Sequence, residues 1–391
     1  MRLLTAPLLF LLVAGCSAAS PSETSAVETR TSPEAAYVAP PPPTKPARGF
    51  EERVNGVRVV HLTGTPEEMG TQMGEICGED IRYLLESNLK KIPWVAKDLK
   101  GAVAKAKLRA AGIPDEQMRE LRATAKAAHV DEDWLLVAAS VIEIVEETRA
   151  CAAVAAWGTA TPAHETIVGR NLDWHDIGAL HSRGLLIVRH PQSGHAFVSC
   201  GFPGIPGVLT GMNDAGVFTA DLVQFAKTKV PPRDDGIPVM SLQRLALERC
   251  ATAADAAALY EKSPRTVPQN YIVADAAGAA FLEADAEKLT RRAPSGDTVA
   301  GTNWAQEERG TLKGDVRFGN LCACIDPKIG ALGVPEIEAA LGAAGSGPLS
   351  VMSVVALPAR RALRVSIGPM PACKGPFVDV DAGELMDKDV R

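Results

Sequence analysis

Cys151 opens an apolar run, Cys151-Ala-Ala-Val-Ala-Ala-Trp-Gly158, and nineteen residues after it comes Arg170-Asn-Leu-Asp173-Trp174. A cysteine attacks as its thiolate, so a neighbour must lower its pKa or take its proton. Imidazole is a common partner. Here the seven histidines (His61, His129, His164, His175, His181, His190 and His195) all lie in the first half of the chain. A cysteine followed by a distant histidine is therefore hard to build. A break before Cys151 would instead give that residue a free α-amine, whose pKa near 8 suits a base at neutral pH. The chemistry would be amide hydrolysis or acyl transfer by a self-processed chain. Arg170 would favour the thiolate by its charge, and Asp173, three residues on, would converge with it and orient the amine. Asn213 and Asn303, at expected strand ends, could supply oxyanion donors. Residue types alone also allow a plainer reading, with Cys151 a small buried hydrophobe and Arg170 and Asp173 a surface ion pair.

The elements that must carry these residues change in kind at Cys151. After an opening strand over 57–62, the region 49–150 reads as helical. Thr65-Pro66-Glu67-Glu68 is a helix start, with a Thr cap, proline at the first position and Glu three residues after the cap. Further helices are expected from Pro114-Asp115 and from Asp131. Beyond Cys151, short β-type runs fall at 151–157, 166–172, 185–190, 196–200 and 217–222. A helical pair follows at 239–250 and 253–262, then strands at 271–275, 279–283 and 298–302, a helical stretch from Phe318, and a closing hairpin at 350–357 and 361–367. Strands, paired helices and strands again suggest two antiparallel sheets layered with helices, the early helical region forming an outer layer or a wrapping segment. There is no internal repeat.

The start of the chain reads as address rather than fold. Arg2, an apolar stretch over 3–13 and Val13-Ala14-Gly15-Cys16 form a short export signal, too short to span a bilayer. It resembles a bacterial lipoprotein signal, which implies lipidation of Cys16, residence in the cell envelope at the periplasmic face, and preferentially the outer membrane. Residues 17–48, with Pro40-Pro-Pro-Pro43, read as a disordered tether. A net charge of −6 gives no reason to invoke nucleic acid. Eight cysteines are too few for a disulfide scaffold, and Cys322-Ala-Cys324 lacks a second Cys/His cluster to complete a metal site.

Several motifs carry a resemblance. Cys151 to Gly158, then Ile167-Val-Gly-Arg-Asn-Leu-Asp-Trp174, Gly211-Met-Asn-Asp-Ala-Gly216, Asn270-Tyr-Ile-Val-Ala-Asp275 and Gly301-Thr-Asn-Trp304 follow one another in order. They resemble the isopenicillin N acyltransferase (acyl-CoA:6-aminopenicillanate acyltransferase) family of N-terminal nucleophile hydrolases, alongside penicillin V acylases, bile salt hydrolases and acid ceramidase. The resemblance implies an α+β fold, an αββα four-layer sandwich with antiparallel sheets preceded by a helical segment. It implies a precursor cut between Ala150 and Cys151 into chains 49–150 and 151–391 of one fold. By that resemblance Cys151 is nucleophile and base, Arg170 and Asp173 match the Arg-x-x-Asp pair, Asn213 and Asn303 form the oxyanion hole, and Arg317 aligns with a downstream arginine. The chain departs from the pattern at Ala150, where Gly is common, at Ala152 and Ala153, which carry no hydroxyl, and at Trp304, where His is usual.

The expected protein is an autoproteolytic cysteine amidohydrolase or acyltransferase for a small-molecule N-acyl amide with a linear C–N bond. It needs no cofactor and no metal, and meets the membrane through its lipid anchor. A ceramidase- or acylase-like hydrolase of N-acyl lipids or signalling amides, and a non-catalytic surface lipoprotein acting as a binding module, are the alternatives.

Overall fold

The computed structural model describes residues 48–144, 150–225, 233–285, 288–304 and 315–388. The expected signal, Cys16 and all but the last residue of the expected tether lie outside these residues. Helices before Cys151 are α1 (Pro66–Ser87), α2 (Pro93–Lys97), α3 (Leu99–Ala110), α4 (Asp115–Ala128), α5 (Glu132–Ala139) and α6 (Val141–Ile144). After it come α7 (Val239–Arg249), α8 (Ala253–Lys262), α9 (Val316–Ile325), α10 (Val334–Ala344) and α11 (Ala382–Asp387). The helix starts follow the local chemistry. Thr65 Oγ1 accepts from Glu68 N at 3.2 Å while Glu68 Oε2 accepts from Thr65 N at 2.7 Å, closing the capping box. Asp131 caps α5 through Asp133 N at 3.0 Å.

The strands are β1 (Phe50–Val54), β2 (Val57–Gly64), β3 (Ala150–Ala156), β4 (Ile167–Asp173), β5 (Leu185–Pro191), β6 (Phe197–Gly201), β7 (Thr210–Asn213) and β8 (Phe218–Val223). They continue as β9 (Gln269–Asp275), β10 (Gly278–Ala284), β11 (Leu289–Arg291), β12 (Thr298–Gly301), β13 (Ser350–Leu357), β14 (Ala362–Ile367) and β15 (Val378–Asp381). Among the described residues they form one sheet ordered β1-β2-β5-β6-β7-β8-β9-β10-β11 and another ordered β12-β3-β4-β13-β14-β15. Helices α7 and α8 pack on the first sheet and α9 and α10 on the second, while β3 meets β8 and β12 meets β10 between the sheets. The order of layers is αββα, as the sequence led one to expect.

One expectation needs correction. The sheets are not wholly antiparallel, because β2 runs parallel to β5, with Val59 opposite Leu186 and Gly64 opposite Pro191. A parallel pair needs a long crossover, and α1–α6 lie within that connection. The opening strand expected over 57–62 is β2, and it joins the first sheet with β1, which the sequence reading did not include.

The β3 run is apolar throughout because both of its faces are buried. Cys151, Ala153 and Ala155 belong to the inter-sheet core, whereas Ala152, Val154 and Ala156 pack with Phe318 and Leu341 beneath α9 and α10. Side chains of this size let two layers close on one strand. Among the described residues no helix is long and apolar enough to cross a membrane.

A buried charge cluster joins the region before Cys151 to the body after it. Glu120 of α4 meets Arg189 of β5 at 3.0 Å and Arg244 of α7 at 2.6 Å, and all three are about 1% exposed. Arg244 also meets Glu248 at 2.7 Å and donates to the Pro206 carbonyl at 2.8 Å. Burial alone would raise the Glu120 pKa, but the two guanidiniums outweigh it and hold the carboxyl below its ordinary value. Removing one partner strands the others in a low-dielectric interior. Glu120→Ala should therefore cost about 3–5 kcal/mol; chemical denaturation with an unchanged midpoint would refute the clamp.

Candidate active site

Paired strands set the faces around Cys151. Cys151 lies opposite Leu172, Ala153 opposite Arg170 and Ala150 opposite Asp173. Opposed residues share a face and neighbours along a strand alternate. Arg170, two positions from Leu172, therefore shares the face of the Cys151 sulfur, and Asp173 takes the other face. Arg170 and Asp173 thus approach Cys151 from opposite faces, Arg170 on the side of the sulfur, and the two do not form a surface ion pair.

On the sulfur side, Arg170 Nη2 stands 3.7 Å from Cys151 Sγ. The same nitrogen donates to the Asp221 carbonyl at 3.0 Å and lies 3.6 Å from Asp221 Oδ1. Arg170 Nε and Nη1 are buried without partners. Cys151 itself is 1% exposed. Burial pushes its thiol pKa above the ordinary value, against the pull of Arg170.

On the nitrogen side, Cys151 N donates to Asn303 Oδ1 at 2.7 Å. Asn303 reaches that place because Gly301, two residues earlier, pairs with Ala153. A Cβ at Gly301 would lie 2.1 Å from the Phe281 ring, so only glycine lets β12 close on β10 here. Arg317, in the first turn of α9, donates to Asn303 Oδ1 at 3.0 Å, to Asp173 Oδ2 at 2.9 Å and to the Ala344 carbonyl at 2.8 Å. Both neighbours of Asn303 Oδ1 are donors, and Nδ2 donates to the Val223 carbonyl at 2.8 Å, which fixes the amide orientation. Asp173 Oδ2 also accepts from Ser346 N at 3.2 Å, while its buried Oδ1 has no partner. Burial raises the Asp173 pKa although Arg317 and Ser346 oppose it, which accords with a fully buried carboxylate that is only half satisfied.

Asn213 does not join this group. Its Nδ2 donates to the carbonyls of Leu247 at 2.9 Å and Cys250 at 2.8 Å, and its Oδ1 accepts from Val217 N at 2.8 Å. The amide ties the turn after β7 to the end of α7, so it has no hydrogen left for an oxyanion. Sequence reasoning also missed Asp221 and Ser346. A lone carboxylate inside the apolar run 217–222 was the available signal for Asp221; Ser346 contributes a main-chain group, which side-chain types cannot announce. Among the described residues no group of three His, Cys, Asp or Glu side chains could hold a metal ion.

Residues 160–315 match the family model of acyl-coenzyme A:6-aminopenicillanic acid acyl-transferase. The family read from the motifs is thus the one whose model matches. The match takes in Arg170, Asp173, Asn213 and Asn303 and stops short of Cys151 and Arg317. A curated relative from Archaeoglobus fulgidus, described as an uncharacterized protein, is 28% identical over 283 residues, 63% of this chain and 47% of the relative. The chain therefore spans about half the length of that relative. Among solved structures, an N-acylethanolamine-hydrolyzing acid amidase ortholog of Caenorhabditis elegans is 18% identical with a TM-score of 0.44, covering 53% of this chain and 93% of its own. Penicillin V acylase from Agrobacterium tumefaciens is 15% identical with a TM-score of 0.42, covering 59% and 86%. A mutant conjugated bile acid hydrolase from Clostridium perfringens is 14% identical with a TM-score of 0.42, covering 61% and 94%.

Leu172, the cross-strand partner of Cys151, lines an apolar cavity of about 70 Å³. Leu84, Leu135 and Val141 from the region before Cys151, with Phe202 and Met240 from the body after it, continue its wall.

The raised pKa of Asp173 has a thermodynamic consequence. The folded chain holds that proton more tightly than the unfolded chain, so the associated stability is full below about pH 3.9 and is lost as pH rises through the folded value. In a Cys151→Ala background, Asp173→Asn should raise the melting temperature more at pH 7 than at pH 4. An equal difference at both pH values would contradict the assignment.

Proposed function

We propose that this protein is a precursor that cuts itself between Ala150 and Cys151 and then uses Cys151 as an N-terminal nucleophile on a linear C–N amide bond. The observation that carries this reading is the division of labour around one residue. Arg170 serves the sulfur, while Asn303 holds the nitrogen and is linked through Arg317 to Asp173. A cysteine that was only a buried hydrophobe would need no buried charges at either end.

In the first step Cys151 Sγ attacks the Ala150 carbonyl carbon, and the acyl group passes from nitrogen to sulfur. Water then opens the thioester, giving a carboxylate on Ala150 and a free amine on Cys151. In turnover that amine takes the thiol proton and the thiolate attacks the substrate carbonyl. The ammonium returns its proton to the departing amine, leaving a thioester on Cys151. Water releases the acid, or a second amine accepts the acyl group. Asn303 Oδ1 already holds the Cys151 nitrogen, and Asp173 Oδ1 is free to accept a further hydrogen from the new amine. Arg170, whose Nε and Nη1 are unpartnered, is available to take the oxyanion role first read for Asn213, whose amide hydrogens are already used. The apolar cavity from Leu172 suits an apolar acyl group, which favours N-acyl lipids or signalling amides among possible substrates.

Denaturing electrophoresis with N-terminal sequencing tests the first step. Wild type should give two pieces, the larger beginning at Cys151, and Cys151→Ala should stay whole. An intact wild-type chain indistinguishable from Cys151→Ala would overturn the proposal. Asn303→Ala, which frees the Cys151 N–H and one hand of Arg317, should slow processing roughly 10²-fold through misplacement of the reacting atoms. The processed protein should hydrolyse N-alkanoyl amides in preference to amides of charged acids.

Export remains part of the proposal. Cys16→Ala should move the protein from the membrane fraction to the soluble fraction of the envelope.

A further inference from the structure

The structure assigns Asp221 as a positioning residue for Cys151, the counter-charge that balances Arg170 so that the sulfur stays an uncharged thiol until the α-amine takes its proton. The inference rests on the nucleophile reading above and adds a residue to it.

Arg170 is 1% exposed and Asp221 2% exposed, so each charge needs a partner within the protein. Arg170 lies between Cys151 Sγ at 3.7 Å and Asp221 Oδ1 at 3.6 Å. A lone buried guanidinium at that distance would pull the thiol strongly towards thiolate. The pair with Asp221 is close to neutral as a unit and pulls far less. Two amides hold the carboxylate in place, Gln243 Nε2 at 3.1 Å from Oδ1 and Gln269 Nε2 at 2.6 Å from Oδ2. Arg170 has a separate tether, since its Nη2 donates to the Asp221 main-chain carbonyl at 3.0 Å. Charge on the side chain can therefore be removed while the guanidinium keeps its anchor.

Other charged or titratable groups act on the same two residues. Asp173 and Arg317 act on Cys151 from the nitrogen side with opposite signs. Cys200 on β6 feels Arg170. Tyr260 on α8 and Tyr271 on β9 face Asp221, and burial holds both as neutral phenols. None of these supplies a second carboxylate to Arg170, so Asp221 is its balancing charge among the described residues. The cost of such a balance is a weaker nucleophile, and the gain is that reactivity depends on the amine released by cleavage.

The test is the pH dependence of Cys151 modification by methyl methanethiosulfonate, followed by mass spectrometry of the peptide that contains Cys151. Asp221→Asn should move the midpoint down by about one pH unit, which is about tenfold faster modification at pH 6. Asp221→Glu, which keeps the charge, should restore the wild-type midpoint. If Asp221→Asn does not fold, Asp221→Ala gives the same measurement with charge and bulk both removed. A folded neutral variant with an unchanged or higher midpoint would overturn the inference. Electrophoresis on the same samples separates the two proposals. A wild-type chain that stays whole while the midpoints still differ would sink self-processing and leave the role of Asp221 standing. Processed chains with equal midpoints would sink the role of Asp221 alone.

Discussion

The period of two along the paired strands β3 and β4 is the constraint on which the site depends. Both strands are buried on both faces, so neither can slip by one residue without exchanging its inter-sheet set for the set beneath α9 and α10. That fixed register puts the Cys151 sulfur on the face of Arg170 and sends Asp173 to the other. Sulfur and nitrogen of one residue are thereby surrounded by different partners. A thiol and an amine that must exchange a proton, yet answer to different charges, need that kind of separation.

Buried charge is used twice, to different ends. Glu120, Arg189 and Arg244 tie the region before Cys151 to the sheet after it, and no reacting group lies among them. Around Cys151 the charges are incompletely satisfied, with Arg170 Nε and Nη1 and Asp173 Oδ1 left without partners. Glu120 Oε2 and Arg189 Nη1 likewise lack hydrogen-bond partners, so the Cys151 cluster is set apart by the thiol beside it: its open donors and acceptors are placed to meet a substrate or a new amine.

Much of the fold was legible locally. The helix beginning at Thr65, the second beginning after Pro114, the pair 239–249 and 253–262, and the hairpin over 350–367 were all readable from caps and periodicity. Edge strands such as β1, β11 and β15 were not, because they are short and their alternation is weak. Helix α10 was missed since Val334-Pro335 and a run of alanines give little stripe. At the site, Cys151, Arg170, Asp173, Asn303 and Arg317 are linked in space. Asn213 looked equivalent to Asn303 in sequence because both end a strand, and only the direction of each strand end separates them.

By itself the sequence determined which residues could react: a cysteine without a usable histidine, an arginine and a carboxylate at fixed spacing, and asparagines at strand ends. Those follow from side-chain chemistry and near-neighbour spacing, which the chain carries wherever it goes. The tertiary structure alone decided which atom each partner serves. Asp221 comes within reach of Arg170 because two sheets stack, Arg317 joins Asn303 to Asp173 because α9 lies across the second sheet, and Asn213 is drawn away by α7. Contacts between residues far apart in sequence depend on how layers pack, and no local pattern encodes the direction in which a strand end points.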